Sequence, residues 1–182
     1  MGRAIILNGS PRKNGVDARI ASMISERFSA AGHSAEIVSI CDLRIGGCLG
    51  CMACRTSGRC VQDDDMETLI SKIRSSDMLV ILSPIYFGAE TGQTKILLDR
   101  FTSAFSGERP LGNVRVSSVL LTCADKDGAS KYDAALRRIL FEMRCLKVDG
   151  PDGGCIIGAL SPDTVKDSPD VKDYIDGLLA QL

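Results

Sequence analysis

Short, continuously apolar segments recur along this chain of 182 residues and alternate with segments of helical periodicity. Ala4–Leu7 and Met78–Leu82 are apolar at every position, which is typical of strands covered on both faces of a parallel sheet. Between them, Ile20, Ile24 and Phe28 are spaced by four residues, which predicts one buried helix face. The alternation predicts an α/β domain over residues 1–182, with a doubly wound, five-stranded parallel sheet and helices on both faces.

The other predicted elements continue this alternation. Strands are expected at 35–40 and 114–122, and a last strand, split around Gly150–Gly154, is expected from Leu146–Val148 and Ile156–Ile157. Helices are expected at 17–31, ended by Gly32, and at 65–75, 91–105 and 130–143, with a C-terminal helix marked by Val171, Ile175 and Leu178. Asp64 and Glu67 predict a capping box, which is favoured over a metal-binding role for the aspartates.

The overall composition excludes several classes of function. The formal net charge of −1 and the aromatic content of 4%, with no tryptophan, argue against a nucleic-acid-binding surface. No apolar run is long enough to span a membrane, and Ala4–Leu7 is too short for a signal peptide. Eight cysteines then indicate a cytoplasmic protein with metal or redox chemistry rather than a disulfide framework. His33 is the only histidine and is expected at the surface, so no hydrolytic triad is predicted.

Four of the cysteines lie in one compact run with the spacing C-x2-C-x2-C-x5-C. They are Cys48, Cys51, Cys54 and Cys60. Thiolates are soft ligands, and one crowded run suits a multi-iron centre better than structural zinc, which usually takes its ligands from two separated pairs. The run predicts a [4Fe–4S] cluster, with reduced thiols or a disulfide as the alternative. The other four cysteines, Cys41, Cys123, Cys145 and Cys155, are scattered and are expected to pack as small apolar residues. Cys123 is the exception to watch, because it ends a strand at the edge of the sheet where a ligand is expected.

A loop rich in small, polar and basic residues follows the first strand, from Asn8 to Gly15. Backbone N–H groups at the start of the next helix, the Ser10 hydroxyl and the Arg12 cation are able to hold a terminal phosphate. The loop lacks both the Walker pattern G-x-x-x-x-G-K-[ST] and the dinucleotide pattern G-x-G-x-x-G. These residues alone leave phosphate binding and an ordinary strand-to-helix turn as alternatives.

Two further loops are expected at the same edge of the sheet, because the carboxyl ends of parallel strands lie together. The first, Ser83–Gly88, carries the flat side chains of Tyr86 and Phe87, which favour a planar cofactor. The second begins at Cys123 and is polar. An ordinary exposed loop is the alternative for the first of these.

Three linked segments together resemble the iron–sulfur flavoproteins, within the NADPH-dependent FMN reductase branch of the flavodoxin-like fold. The segments are Gly9–Lys13, the cysteine run followed by Val61–Met66, and Ser83–Gly88 leading to Gln93–Lys95 and Asp99–Phe101. The likeness covers residues 3–125 with good specificity and the remainder in outline.

The resemblance implies two bound cofactors, FMN and a [4Fe–4S] cluster, in a homodimer or homotetramer. The FMN phosphate would fall on Ser10, Arg12, Lys13 and Asn14, with backbone groups of Gly15, Val16 and Asp17. The isoalloxazine ring would lie along Pro84, Ile85, Tyr86, Phe87 and Gly88, and the third loop, Thr122, Cys123, Ala124 and Asp125, would close over it. The cluster would lie on Cys48, Cys51, Cys54 and Cys60.

The start of the first helix departs from the family pattern. Members usually have a neutral pair such as Asn-Thr where this chain has Val16-Asp17. We expect the Asp17 carboxylate to lower the affinity for FMN, unless it points away or pairs with Arg12 or Lys13, because like charges repel.

The expected function is that of a redox protein that relays electrons between a two-electron donor or acceptor and one-electron partners. NAD(P)H is the candidate donor, and the candidate partners include a quinone and a ferredoxin-like protein. The flavin supplies the chemistry, so no catalytic acid or base is required. One alternative is a cluster-free NAD(P)H-dependent FMN or quinone reductase. The other is a non-enzymatic electron carrier or thiol redox sensor.

Overall fold

A five-stranded parallel sheet forms the centre of the chain in the computed structural model, which describes residues 1–105, 109–125, 130–148, 154–158 and 160–182. The strands are β1 (Arg3–Asn8), β2 (Ser34–Ser39), β3 (Met78–Pro84), β4 (Val116–Cys123) and β5 (Gly154–Gly158). They lie in the order β2-β1-β3-β4-β5, and each neighbouring pair is parallel. This is the flavodoxin-like order, which confirms the predicted fold class.

Helices connect the strands within the described ranges. They are α1 (Val16–Ala30), α2 (Ala53–Ser57), α3 (Met66–Arg74), α4 (Gly92–Arg100), α5 (Asp133–Cys145) and α6 (Pro169–Leu179), with 3-10 turns at Ile40–Asp42, Phe101–Ala104, Ser130–Tyr132 and Val165–Asp167. None of the helices in these ranges combines the length and hydropathy that crossing a bilayer requires.

The two faces of the sheet bury two separate apolar cores, as the alternation of side chains along a strand requires. Ile5 and Leu7 of β1 face the core that α3, α4 and α5 cover. Ala4 and Ile6 of the same strand face the core that α1 and α6 cover. Both faces of the central strands are therefore covered, which explains why their sequences are apolar at consecutive positions.

The prediction of the last strand is wrong for its first half, Leu146–Val148. Leu146 follows directly after α5, and Lys147 has a positive φ of 57°, so Leu146–Val148 forms a turn that buries Leu146 and Val148 in the core. Of the predicted interruption at Gly150–Gly154, residues 150–153 lie outside the described residues, and Gly154 belongs to β5, which begins there. Apolar content alone did not distinguish a buried turn from a strand.

The ends of other helices also differ from the prediction, by a few residues. Thr91 is the N-cap of α4, where its side chain accepts a hydrogen bond from the Thr94 N–H, and regular α-helix ends at Arg100 rather than Phe105. Gly32 ends α1 as predicted, with a φ of 80° and the following His33 N–H bonded to the Phe28 carbonyl. His33, which was expected at the surface, is half-buried, and its Nδ1 accepts a hydrogen bond from the Gly2 N–H.

The carboxyl ends of all five strands meet at one edge of the sheet. The loops that follow β1, β3 and β4 therefore emerge together, and the strand order reverses between β1 and β3 at this edge. In open α/β sheets this reversal opens a crevice for a ligand.

Candidate functional site

The loop between β1 and α1 presents donor groups to solvent at this edge. Asn8 and Ser10 are buried and shape the turn: the Ser10 N–H donates to Asn8 Oδ1 at 3.0 Å, and the Arg12 N–H donates to Ser10 Oγ at 3.3 Å. The N-cap residue Gly15 has no side chain to cap α1, and the Asp17 N–H interacts with the Asp17 carboxyl group, so the other N–H groups of the first turn are available to an anion. Lys13 is exposed and lies 3.3 Å from the Asp42 carboxylate.

A buried network of hydroxyl groups joins this loop to β3 and α4. Thr91 Oγ1 donates to the Gly9 carbonyl at 2.8 Å and lies 2.9 Å from Thr94 Oγ1, while the Thr91 N–H donates to Ser83 Oγ at 3.1 Å. A Cβ atom on Gly9 would lie 1.9 Å from Thr94 Oγ1, so a glycine is required at this contact. The network fixes the first two loops relative to each other.

The loop after β3 is a tight turn that exposes two aromatic side chains. The Tyr86 N–H donates to the Ala89 carbonyl at 2.8 Å, and Phe87 and Gly88 between them both have positive φ, of 52° and 83°. Positive φ at both central residues is the type I′ pattern. Phe87 is fully exposed and Tyr86 is 41% exposed, so both rings are accessible to a planar ligand.

The three loops surround one cleft of about 190 Å³, called here the three-loop cleft. It is lined by Ser10, Arg12, Val16, Asp17, Pro84, Ile85, Tyr86, Thr122, Cys123, Ala124 and Leu160. The predicted residues Lys13, Asn14, Gly15, Phe87, Gly88 and Asp125 lie on the same loops but do not line it. Leu160 was not predicted; it follows β5 at the same edge, and no sequence motif marks it.

Asp17 is a buried carboxylate in this cleft. It is 2% exposed, and both of its oxygens lie 3.1 Å from the Thr122 hydroxyl, which donates to them. Burial raises the pKa of the Asp17 carboxyl from 3.8 to about 6, although the hydrogen bond from Thr122 opposes this. Pairing with Arg12 or Lys13, one of the two arrangements that would offset the charge of Asp17, is absent from the described contacts, and Asp17 instead joins α1 to the end of β4.

The segment Cys48–Cys60, called here the cysteine segment, lies between β2 and α3. It is largely exposed and contains the short helix α2, with positive φ at Gly50, Met52 and Gly58. Its four cysteines are free thiols that line one apolar cavity with Leu49, Gly50, Met52, Val61, Gln62, Arg100, Thr102 and Ser103. In the described ranges no three His, Cys, Asp or Glu side chains converge on a point that could hold a single metal ion.

Arg100 lies beneath the cysteine segment and is 1% exposed. Its guanidinium contacts both Asp64 oxygens, at 2.5 and 2.9 Å, donates to the Gly46 carbonyl at 2.8 Å, and donates to Cys60 Sγ at 3.3 Å. The hydrogen bond from Arg100 lowers the pKa of Asp64, so the pair is ionic. Asp64 also accepts from the Met66 N–H at 3.1 Å, whereas Glu67 adds no reciprocal bond among the described contacts, so the predicted capping box is incomplete.

Residues 3–152 match the NADPH-dependent FMN reductase family. The chain belongs to this family of flavin oxidoreductases. Two curated relatives place it among the iron–sulfur flavoproteins of the family. One, from Archaeoglobus fulgidus, is 36% identical over 141 residues, which are 78% of this chain and 68% of that protein. Another, from Methanocaldococcus jannaschii, is 31% identical over 98 residues, which are 54% of this chain and 51% of that protein.

The family fold is also seen in solved structures. The crystal structure of RosB with bound 8-demethyl-8-formylriboflavin-5'-phosphate superposes with a TM-score of 0.76 and 20% identity. The match covers 99% of this chain and 77% of RosB. At this identity the similarity concerns the fold alone.

The three-loop cleft of this FMN reductase family member has a donor set that suits a flavin phosphate. The uncapped first turn of α1, the Ser10 hydroxyl and the Arg12 guanidinium all carry donors, and no carboxylate of the described residues lies within ion-pair distance of Arg12. Asp17 is the one acidic group in the lining, and its partner is a neutral hydroxyl.

The cysteine segment of this family member has a donor set that suits an iron–sulfur cluster. Four thiols line one apolar cavity together with Arg100, and the buried Nε of Arg100 has no hydrogen-bond partner in the described part of the chain. Each thiolate of a [4Fe–4S] cluster binds a different iron, so the four cysteines of such a site surround the cluster and do not converge on a single metal ion. The cavity measures about 30 Å³, so the exposed segment must spread outwards to enclose a cluster.

Sequence reasoning found the loops but missed the residues that hold them. Arg100 belongs to Asp99–Phe101, one of the segments that carry the resemblance, but the sequence did not predict its contact with Cys60. Its position beside Leu97, Leu98 and Phe101 was the available signal, because a charge in a buried helix face requires a partner. The expectation that Cys41 is buried was wrong, because it is exposed, whereas Cys123, Cys145 and Cys155 are half-buried.

Proposed function

We propose that this protein is a flavin-dependent electron relay between a two-electron donor or acceptor, such as NADH or NADPH, and one-electron partners. FMN would lie in the three-loop cleft, and a [4Fe–4S] cluster would lie on Cys48, Cys51, Cys54 and Cys60. A flavin exchanges a hydride with a nicotinamide and single electrons with a cluster, so the two cofactors suit such a relay.

The side chains of the cleft bind and orient rather than transfer protons. The first turn of α1, Ser10 and Arg12 would hold the phosphate, and Pro84, Ile85 and Tyr86 would flank the ring system. Thr122 holds the Asp17 carboxylate by a hydrogen bond and so keeps it on the β4 side of the cleft. No catalytic acid or base is assigned.

Helix α4 is the observation that carries the proposal, because it joins the two sites. Its N-cap, Thr91, is hydrogen-bonded to Gly9 in the loop between β1 and α1, and its last residue, Arg100, is hydrogen-bonded to Cys60. Nine helical residues span about 13 Å. The two candidate cofactor sites are therefore neighbours on one rigid element.

A cluster-free NAD(P)H-dependent FMN or quinone reductase is the second candidate. The observation in its favour is the small volume of the cavity within the cysteine segment, about 30 Å³. In this case the four cysteines remain thiols, and the exposed Cys48 and Cys51 could act in a thiol redox sensor instead.

Cofactor analysis of protein prepared without oxygen tests the proposal. We expect one FMN per chain and roughly four iron and four sulfide, with the iron lost in Cys51→Ser and retained in the control Cys41→Ser. Cys41 is exposed and lies outside the cysteine segment, so its substitution should leave both cofactors in place. FMN without iron in the parent protein would support the cluster-free reductase.

Steady-state turnover separates the enzymes from the carrier. Oxidation of NADH or NADPH with a quinone as acceptor supports a reductase. Failure to oxidise either nicotinamide at a useful rate leaves the electron carrier or sensor.

We also propose that the protein acts in the cytoplasm as a homodimer or homotetramer, without nucleic acid or membrane as a partner. Reduced cysteines suit a reducing compartment. Leu49, Met52, Val61 and Phe105 are exposed around the cysteine segment, and a second chain would cover such an apolar surface. Light scattering on the FMN-loaded protein tests this, and a monomer would contradict it.

A further inference from the structure

Arg100 is the only arginine or lysine among the described residues that is fully buried, and its guanidinium contacts both Asp64 and the cysteine segment. Both terminal nitrogens contact Asp64, whose side chain is 12% exposed. Nη1 also donates to the Gly46 carbonyl, just before the cysteine segment, and Nη2 also donates to Cys60 Sγ within it.

Cys60 is the only one of the four cysteines whose sulfur receives a charged donor among the described contacts. Cys54 Sγ instead lies 3.9 Å from the Thr102 carbonyl, which is an acceptor. The buried Nε of Arg100 is a further donor without a partner in the described ranges, and it belongs to a residue that lines the cavity. An unpaired buried donor is unfavourable, so this site is prepared for an acceptor that is not part of the chain.

We propose that Arg100 is a positioning residue for the cluster. It raises the reduction potential of the cluster by donating hydrogen bonds to the Cys60 thiolate and, from Nε, to an inorganic sulfide. This inference rests on the proposed function, because it requires a cluster on the cysteine segment. Reduction adds one electron to the cluster and forms or breaks no bond. Hydrogen bonds to sulfur stabilise the more negative, reduced state and so raise the potential.

The test must separate the hydrogen bond from the charge. Arg100→Gln alone would leave the Asp64 carboxylate without its cation, and this uncompensated negative charge would itself lower the potential. The double variant Arg100→Gln/Asp64→Asn removes one positive and one negative charge, so the net charge near the cluster is unchanged. Arg59→Gln is the matched control, since Arg59 is adjacent to Cys60 in sequence but is exposed.

The experiment is an anaerobic redox titration of the loaded protein, followed by electron paramagnetic resonance of the reduced cluster. We expect the midpoint potential of the double variant to fall by about 59 mV. At a fixed solution potential, this shift makes the ratio of reduced to oxidised cluster tenfold smaller for a one-electron couple. Arg59→Gln should shift the potential by less than a third of this, because solvent screens an exposed charge. Iron release to a chelator should also be faster in the double variant, whereas its FMN content should not change.

The outcomes distinguish this inference from the proposed function. If the parent protein takes up no iron and sulfide, both are overturned. If the parent protein is loaded but the double variant has the same potential and the same rate of iron release, only the role of Arg100 is overturned. A shift in Arg59→Gln as large as that in the double variant would also overturn it. The melting temperature of each variant without iron reports any purely structural effect.

Discussion

Asp17 is a buried residue whose ionisation is changed by its surroundings. In the unfolded chain it ionises at its ordinary pKa of 3.8, whereas in the folded chain its pKa is about 6. The folded state therefore binds the proton more tightly, and the stability associated with Asp17 is fully present below pH 4 and is lost as the pH rises through about 6. At neutral pH the protein carries the cost of a buried charge.

Asp17→Asn should remove this pH dependence. The difference between 3.8 and about 6 corresponds to about 3 kcal/mol. Relative to the parent, FMN-free Asp17→Asn should gain up to about this free energy of unfolding at pH 7.5 and much less at pH 4.5, because an amide still accepts from Thr122. Urea denaturation at both pH values measures the effect, and Asp163→Asn, an exposed site, is the control. Parallel pH profiles for parent and variant would contradict the argument.

The same residue shows what the sequence could and could not predict at this scale. The sequence correctly placed Asp17 at the start of α1, next to the loop between β1 and α1. Its partner Thr122 is 105 residues away, and Arg100 and Asp64 are 36 residues apart. Such pairings depend on the packing of separate elements, so residue types and local spacing did not identify them.

At the scale of elements, an ion pair attaches α5 to the loop that follows β3. Arg138 of α5 pairs with Glu90, whose side chain is 1% exposed and has a buried Oε1 without a partner among the described residues. Glu90 comes two residues after Gly88, at the end of the turn that carries Tyr86 and Phe87. The pair therefore helps to hold one wall of the three-loop cleft.

Arg138→Met should destabilise the protein by about 2 kcal/mol and weaken FMN binding. It leaves a buried carboxylate unpaired, but the Arg138 side chain is 41% exposed, so water can replace part of the interaction. Arg137→Met is the matched control on the same helix, because Arg137 forms an exposed pair with Asp133, four residues away, worth about 0.3–0.5 kcal/mol. Urea denaturation and FMN fluorescence titration measure both effects. Equal losses in the two variants would show that the burial of Glu90 has no special effect.

Elements were predicted best where one physical cause dominates. β1 and β3 could be identified from their continuous apolar runs, because both faces of each strand are covered and every position of the run is therefore buried. Leu146–Val148 was misread as a strand because a buried turn needs the same apolar residues. The ends of α4 were misplaced because Thr91 caps the helix from outside and Phe101–Ala104 tightens into a 3-10 turn.

At the scale of the whole molecule, the cleft is formed by loops from three strands and is complete only when all three are in place. Residues near positions 10, 85 and 122 meet there because β1, β3 and β4 are adjacent and parallel. The alternation of the sequence predicted the parallel sheet, and the resemblance implied the loops that hold the ligand. The small volume of the cavity in the cysteine segment could not be predicted, because the spacing of the cysteines carries no information about it.

A ligand that bridges three loops should stabilise the whole fold. FMN at 100 times its dissociation constant should add about 2.7 kcal/mol, or about 5–10 °C in melting temperature for a chain of this size. Riboflavin lacks the phosphate, so it should give a much smaller shift at the same concentration. Thermal denaturation with each ligand measures this. Equal shifts would show that the loop after β1 does not bind a phosphate.

The ion pair between Arg100 and Asp64 has a consequence for transplanting the cysteine segment into other proteins. Asp64 follows the segment in the chain, but Arg100 lies on α4, so residues 41–65 do not contain all that holds them. A graft of those residues alone into a cluster-free relative would carry a buried carboxylate without its cation. The portable unit is therefore discontinuous, and it includes one arginine from a helix that contributes none of the four thiols.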